Sequence, residues 1–132
     1  MKLLHHAIRI LTGLLLLATA ASKFGFLPTA AHSEHMFTPE GWLFISAINS
    51  NGYLFPTIGI VSLVCGVAFL ANRYVALAAV ILTPVTLNFV LFHVFTDPYP
   101  ITQRGSPAYI FFALNVYMLY SERVRYSAIL KP

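Results

Sequence analysis

Four polar side chains stand out in a chain that is otherwise strongly apolar: Lys23, Asn88, His93 and Asn115. Asn88 and His93 belong to the segment PVTLNFVLFHVF, which opens with the helix-disrupting Pro84. Ionisable groups are costly in a hydrocarbon environment, so they are functional candidates there by default. A lysine at such a site could bind an anionic headgroup or the oxygen of a quinone. The four residues therefore define a candidate polar pocket.

The composition predicts that lipid surrounds this pocket. Of the 132 residues, 58% are hydrophobic and only 9% are charged, with a mean hydropathy of +0.77. Soluble domains carry about 25% charged residues, which they need to cover their surface. We therefore expect a single integral membrane domain that spans residues 1–132. The net charge of +4 comes with no basic run and no nucleic-acid motif, so nucleic acid is not an expected partner.

Four apolar segments approach the length of about 20 residues that a membrane helix needs. The predicted spans are 8–27, 54–70, 74–96 and 108–123. In the long connection before the second span, Thr38, Pro39 and Glu40 form a typical helix start, with Trp42 placed for the headgroup level. The sequence therefore predicts an all-α protein: a four-helix transmembrane bundle with a short interfacial helix in the first outer loop.

The positive charges predict the orientation of the bundle. Six basic residues fall on the side that holds both termini, and two fall on the other side; they are Lys2, Arg9, Arg73, Arg123, Arg125 and Lys131, against Lys23 and Arg104. Basic residues favour the cytoplasmic side, so we expect a multi-pass protein of the bacterial inner membrane with both termini in the cytoplasm. Residues 1–20 also resemble a secretory signal peptide, and its cleavage would leave the other spans in the same orientation.

The depth of the polar residues suggests how they could meet. Asn88 lies roughly 13 Å below the outer edge of its helix and Asn115 roughly 10 Å below the start of the last helix, at about 1.5 Å per residue. The two amides could hydrogen-bond to each other and serve packing alone. Alternatively they line a pocket in the outer half of the membrane. Lys23 could simply extend its ammonium to the headgroups, and His93 could be a hydrogen-bonded structural residue.

Other kinds of chemistry find little support in the residues. The single cysteine, Cys65, lies in an apolar run and is expected to be a small packing residue, so no disulfide motif is present. His32, His35 and His93 could form a metal site with the acids Glu34, Glu40 and Asp97, but the spacing does not demand it. Haem is not expected, because no second histidine lies at the depth of His93. We therefore predict no metal site.

Residues 53–98 resemble the DoxX-like family of small bacterial membrane proteins. The matching features are an apolar run that ends in Gly66, the Asn72-Arg73-Tyr74 turn, a proline, Asn88-Phe89 and Phe92-His93, together with Arg9, Gly13, Lys23 and Phe24 in the first helix. The resemblance implies a four-helix membrane bundle with both termini inside. Family members have been linked to thiosulfate:quinone oxidoreductase and to membrane complexes that handle oxidative stress. Many relatives carry a glutamate where this chain has Ser62.

We therefore expect an accessory, non-catalytic component of a membrane redox or stress-response system, with a soluble or membrane redox protein as its partner. The alternatives are a small quinone-linked oxidoreductase subunit and a carrier of a hydrophobic small molecule. In both alternatives the molecule would occupy a pocket in the outer half of the bundle. Quinone is the one cofactor that the resemblance suggests.

Overall fold

A computed structural model describes residues 2–28, 34, 37–96 and 106–127, and all regular elements in these ranges are helices. The predicted all-α class is therefore confirmed. The six helices are α1 (Lys2–Lys23), α2 (Pro39–Asn51), α3 (Leu54–Leu70), α4 (Val75–Thr96), α5 (Ser106–Ser121) and α6 (Arg123–Ser127). The last predicted span, 108–123, is thus divided at Glu122 between α5 and α6.

Helix α1 ends four residues before the predicted limit at residue 27. Gly25 adopts a left-handed conformation (φ 80°), and the backbone N–H of Phe26 donates to the carbonyl of Ala21 over 2.8 Å. This hydrogen-bond pattern, completed by Gly25 N–H to Ser22 O, is a Schellman motif, which stops a helix. The apolar residues that follow Lys23 extended the predicted span, but Gly25 decides where the helix ends.

Helix α2 begins as the sequence predicts. The hydroxyl of Thr38 accepts a hydrogen bond from the N–H of Gly41, and Pro39 occupies the first helical position. At the other end of α2, Gly52 (φ 73°) ends the helix before α3 begins, and the axes of the two helices differ in direction by 81°. The predicted short helix in this connection is confirmed. Its place at a membrane surface stays a prediction.

The four longer helices α1, α3, α4 and α5 pack in a ring. Helix α1 contacts α3, α3 contacts α4, α4 contacts α5, and α5 returns to α1. The closest approach joins α1 and α3, where a Cβ on Gly66 would lie 3.1 Å from the carbonyl oxygen of Gly13. Gly66 has no side chain, and this lets α3 pack closely against α1. Phe69, Leu82 and Met118 fill the core inside the ring.

The outer surface of this ring is apolar. Helix α1 from Leu3 to Lys23 and helix α4 from Val75 to Thr96 are long and apolar enough to cross a membrane. Only 28% of the apolar stretch of each helix is buried inside the protein. The bent pair α2 and α3 supplies a third crossing if it counts as one span. Within the described residues, two or three helices can therefore cross a membrane, which supports a membrane protein. The fourth span stays a prediction.

Basic residues cluster at one end of the ring. Arg9, only 5% exposed, donates from its guanidinium to the carbonyl of Phe69 at the C-terminus of α3. This contact places a positive charge at the negative end of the α3 dipole. At the same end Glu122 pairs with Arg125 over 3.0 Å and lies 4.0 Å from His5. Arg9 thus has a structural role that the positive-charge pattern alone did not reveal.

Tyr126 gives this end of the molecule a pH dependence. Its hydroxyl donates to the carbonyl of Ala76 over 2.9 Å, and burial raises the pKa of the phenol, an effect that Glu122 adds to and Arg125 opposes. The folded state holds this proton more tightly, so the stabilisation is present below about pH 10 and is lost as the pH rises through the folded-state pKa. Thermal unfolding should show a small loss of stability above about pH 10 that Tyr126→Phe removes. An unchanged alkaline slope in the variant would contradict this assignment.

Candidate functional site

A cavity of about 620 Å³ lies between α2, α3 and α4. Its apolar wall is formed mainly by Phe44, Ile45 and Ile48 of α2, Leu54, Phe55 and Ile58 of α3, and Val85, Phe89 and Phe92 of α4. Pockets for drug-sized molecules usually measure about 300–1,000 Å³ and are lined mostly by apolar and aromatic side chains. The cavity therefore has the size and lining of a site for a hydrophobic small molecule.

The bend between α2 and α3 creates this space. Helix α2 lies nearly at right angles to α3 and is fixed to the C-terminal end of α4. The N–H of Thr38 donates to the carbonyl of Thr96 over 3.0 Å, and Gly41 packs so closely that an added Cβ would lie 2.7 Å from the Cβ of Thr96. Helix α2 therefore closes one side of the cavity without filling it.

Of the wall residues that the structure describes, three are polar and interrupt the apolar surface: Glu40, Asn88 and Thr96. The Nδ2 of Asn88 donates to the carbonyl of Pro84, one turn earlier, over 3.0 Å. This bond leaves Oδ1 of Asn88 open to an occupant. The hydroxyl of Thr96 likewise donates its hydrogen to the carbonyl of Phe92, one turn earlier. A few polar groups in an apolar pocket orient a bound molecule.

Lys23 lies beside the cavity rather than in its wall. Its Nζ is 4.2 Å from the centre of the Phe55 ring, and Phe55 is a wall residue. Its stem passes Gly59, where an added Cβ would be 3.1 Å from the Cβ of Lys23. A cation over an aromatic face is a favourable contact. Lys23 therefore supports the position of Phe55 and stands close to the site.

Asn115 belongs to a separate cluster in the core. It is fully buried, and its Nδ2 lies 3.0 Å from Oγ1 of Thr83 and 3.3 Å from Oγ1 of Thr86. Asn88 and Asn115, which the sequence allowed to hydrogen-bond to each other, therefore have different partners. Two residues along a helix turn the side chain by about 200°, so Asn88 and Thr86 face different neighbours. Threonines three positions apart on α4 were the sequence signal for the true partners of Asn115.

His93 is half-buried next to the cavity. Its ring meets that of the wall residue Phe92 edge to face, with centroids 5.5 Å apart, but His93 itself is not part of the wall. The four residues of the predicted pocket are thus not brought together. Asn88 lines the cavity, Lys23 and His93 each contact one of its aromatic residues, and Asn115 lies elsewhere. The sequence pattern missed Glu40 and Thr96 as wall residues.

Across the described ranges, no group of three or more His, Cys, Asp or Glu side chains could hold a metal ion. His32, His35 and Asp97, which entered the possible metal site, lie outside the described residues. Cys65 is fully buried, with its Sγ 3.5 Å from the carbonyl of Ala78. Ser62, also buried, faces a second, much smaller space of about 10 Å³.

The two asparagines should respond differently to replacement. Asn115→Leu removes hydrogen bonds between α4 and α5, so we expect the free energy of unfolding to fall by about 1 kcal/mol. Asn88→Leu removes only a bond within α4 and should change it by less than about 0.5 kcal/mol. Unfolding of both variants in the same detergent checks this contrast. A larger loss for Asn88→Leu would contradict the assignment of the two side chains.

Comparison with protein-family models, with curated proteins and with solved structures finds no match to this chain.

Proposed function

We propose that this chain is an integral protein of a bacterial inner membrane that holds a hydrophobic small molecule between α2, α3 and α4. The observation that carries the proposal is the 620 Å³ cavity with its apolar and aromatic wall. Four membrane-spanning helices, both termini in the cytoplasm and a cavity in the outer half of the bilayer complete the proposed arrangement. Three features support these finer points.

The apolar outer surface of the ring supports residence in lipid. Large side chains such as Phe95 (77% exposed) and Leu77 (56% exposed) face outward, where water would penalise them. The basic end with Arg73, Arg123 and Arg125 supports a cytoplasmic position for that end. The cavity adjoins the opposite end, next to Lys23 and the last turn of α4. An outer position for the cavity follows from this orientation.

The resemblance to DoxX-like proteins supports a role beside a redox or stress-response system. In that role the protein is an accessory, non-catalytic component that binds its small molecule or passes the molecule on to a redox partner. A quinone is one occupant of suitable size, since Phe55, Phe89 and Phe92 offer aromatic faces for a flat ring. The alternatives, a quinone-linked oxidoreductase subunit and a hydrophobic carrier, use the same cavity.

Native mass spectrometry tests whether the cavity is occupied. The wild-type protein, released from its membrane in a mild detergent, should retain a lipophilic molecule of defined mass. Ile58→Phe places a larger ring in the wall and should measurably reduce the occupied fraction, because the ring takes up part of the surface that the molecule contacts. Leu63→Phe, on the same helix but exposed to lipid, is the matched control and should leave occupancy unchanged.

Two results would contradict the proposal. One is a wild-type protein that carries no molecule beyond exchangeable bilayer phospholipid. The other is equal occupancy in the Ile58→Phe and wild-type proteins. Identification of the retained molecule would also separate a quinone from another hydrophobic cargo.

A further inference from the structure

We propose that the cavity selects a single-chain amphiphile whose head group is a protonated amine, with Glu40 as the residue that binds the amine. This inference rests on the proposed function, because it names the class of molecule that the same cavity takes. It depends on which hydrogen-bonding atoms of the wall remain open and on the charge of Glu40.

The open polar atoms of the wall are mainly acceptors. The hydroxyl of Thr96 has one hydrogen, which it donates to the carbonyl of Phe92, so its oxygen is left to accept. A carbonyl can only accept, so the amide of Asn88 must turn its Nδ2 toward Pro84. Its Oδ1 therefore remains available to an occupant. An ionised Glu40 has acceptor oxygens only.

Glu40 makes this acceptor-rich wall negative. It is exposed in the first turn of α2, and within the described residues no cation lies within the 4.0 Å of an ion pair. Among the described residues that form the wall there is no lysine, arginine or histidine. The ammonium of Lys23, on the adjacent helix end, rests over the Phe55 ring. A cationic head group would supply Glu40 with a partner that the described part of the chain does not.

The same atoms disfavour other head groups. A carboxylate would meet the negative charge of Glu40, and among the described wall residues it would find only the second N–H of Asn88 as a side-chain donor. A quinone carries carbonyl acceptors alone and meets the same shortage of donors. An ammonium offers its donors to Glu40 and to Thr96, which lie where the start of α2 packs on the end of α4, whereas Asn88 is roughly 12 Å farther along α4. The apolar wall, with Ile48, Ile58 and Val85 beyond these groups, then holds the alkyl chain.

Trp42 allows the head-group preference to be measured. It is the only tryptophan in the chain, and it lies on α2 between Glu40 and the wall residue Phe44. Full-length protein in phosphatidylcholine nanodiscs would be titrated with dodecylamine that carries bromine on its chain, which quenches tryptophan fluorescence. Unlabelled dodecylamine, dodecanol, dodecanoate and a short-chain quinone then compete, each at matched mole fraction in the bilayer. Saturable quenching reports the cavity, and linear quenching reports the bilayer.

We expect dodecylamine to displace the probe at about a fivefold lower mole fraction than dodecanol. Dodecanoate and the quinone should require a higher mole fraction than dodecanol. Glu40→Gln should remove the advantage of the amine over the alcohol. Glu40→Lys should reverse the order of amine and carboxylate. Glu34→Gln removes the same charge from an exposed residue outside the wall and should change nothing.

The results distinguish failure of the amine inference from failure of the proposed function of the cavity. Saturable quenching with equal competition by all head groups, or with an amine preference that survives Glu40→Gln, would overturn the amine inference and leave cavity binding in place. A preference for carboxylate that Lys23→Met abolishes would overturn it in favour of an anionic occupant. Absence of any saturable, competed quenching would overturn both the amine inference and the proposed function.

Discussion

Gly66→Leu should lower the free energy of unfolding by about 3 kcal/mol, the upper end of the usual cost of overpacking. A Cβ at this position would already stand 3.1 Å from the carbonyl oxygen of Gly13 and 3.2 Å from the Cβ of Leu16. Neither is the end of a flexible chain, so α1 and α3 must move apart. In lipid, helix association depends on close packing, so this separation removes its main source of stability.

The neighbouring Val67→Leu provides the matched control for this test. Val67 is 52% exposed on the outer face of α3, and a larger apolar side chain there should change stability by less than about 0.5 kcal/mol. Reversible unfolding in mixed detergent micelles measures both variants. If Gly66→Leu proved as stable as Val67→Leu, the close approach of α1 and α3 would be wrong.

Gly41→Leu should lower the affinity of the cavity for its molecule at least about tenfold, while the ring of α1, α3, α4 and α5 remains folded. Gly41 is buried against the end of α4, and an added Cβ would lie 2.7 Å from that of Thr96. Helix α2 must therefore swing away, with Gly52 as the nearest flexible point, and the cavity loses the wall that carries Phe44 and Ile48. Among the described helices, α2 packs mainly on α3 and α4, so the ring loses about 1 kcal/mol.

Ala47→Leu is the control for the effect of bulk on α2, since Ala47 is exposed and is not a wall residue. Binding of the retained molecule, measured by native mass spectrometry, should survive Ala47→Leu and disappear in Gly41→Leu. Equal binding in the two variants would show that α2 does not enclose the site.

The elements that local chemistry determines were predictable. Thr38 and Pro39 predicted the start of α2, because an N-cap hydroxyl and a first-position proline act within one turn. The apolar run 74–96 predicted the bounds of α4, Val75–Thr96, to within one residue. The end of α1 was misjudged because hydropathy continues past Lys23, whereas Gly25 stops the helix through its backbone conformation. Local composition therefore predicted which helices form better than where they end.

The candidate site was less predictable, because it depends on how helices are rotated and bent. Asn88 and Asn115 lie at similar predicted depth, but depth does not determine which faces meet, and α5 meets Thr83 and Thr86 instead. The cavity itself arises from the 81° angle between α2 and α3 and from the close contact of Gly41. No periodic pattern in the sequence encodes that angle. From the sequence, Glu40 was therefore predictable as part of a helix start but not as a wall residue of a cavity.

Photolabelling tests most directly whether a hydrophobic molecule binds between α2, α3 and α4. A long-chain alcohol with a diazirine on its chain, free of any head-group charge, would be irradiated with the protein in nanodiscs and mapped by peptide mass spectrometry. We expect saturable labelling at wall residues such as Phe44, Ile58 and Phe92, displaced by excess unlabelled alcohol. Labelling spread without saturation over lipid-facing residues such as Val116 and Phe95, with none in the wall, would contradict a binding site in the cavity.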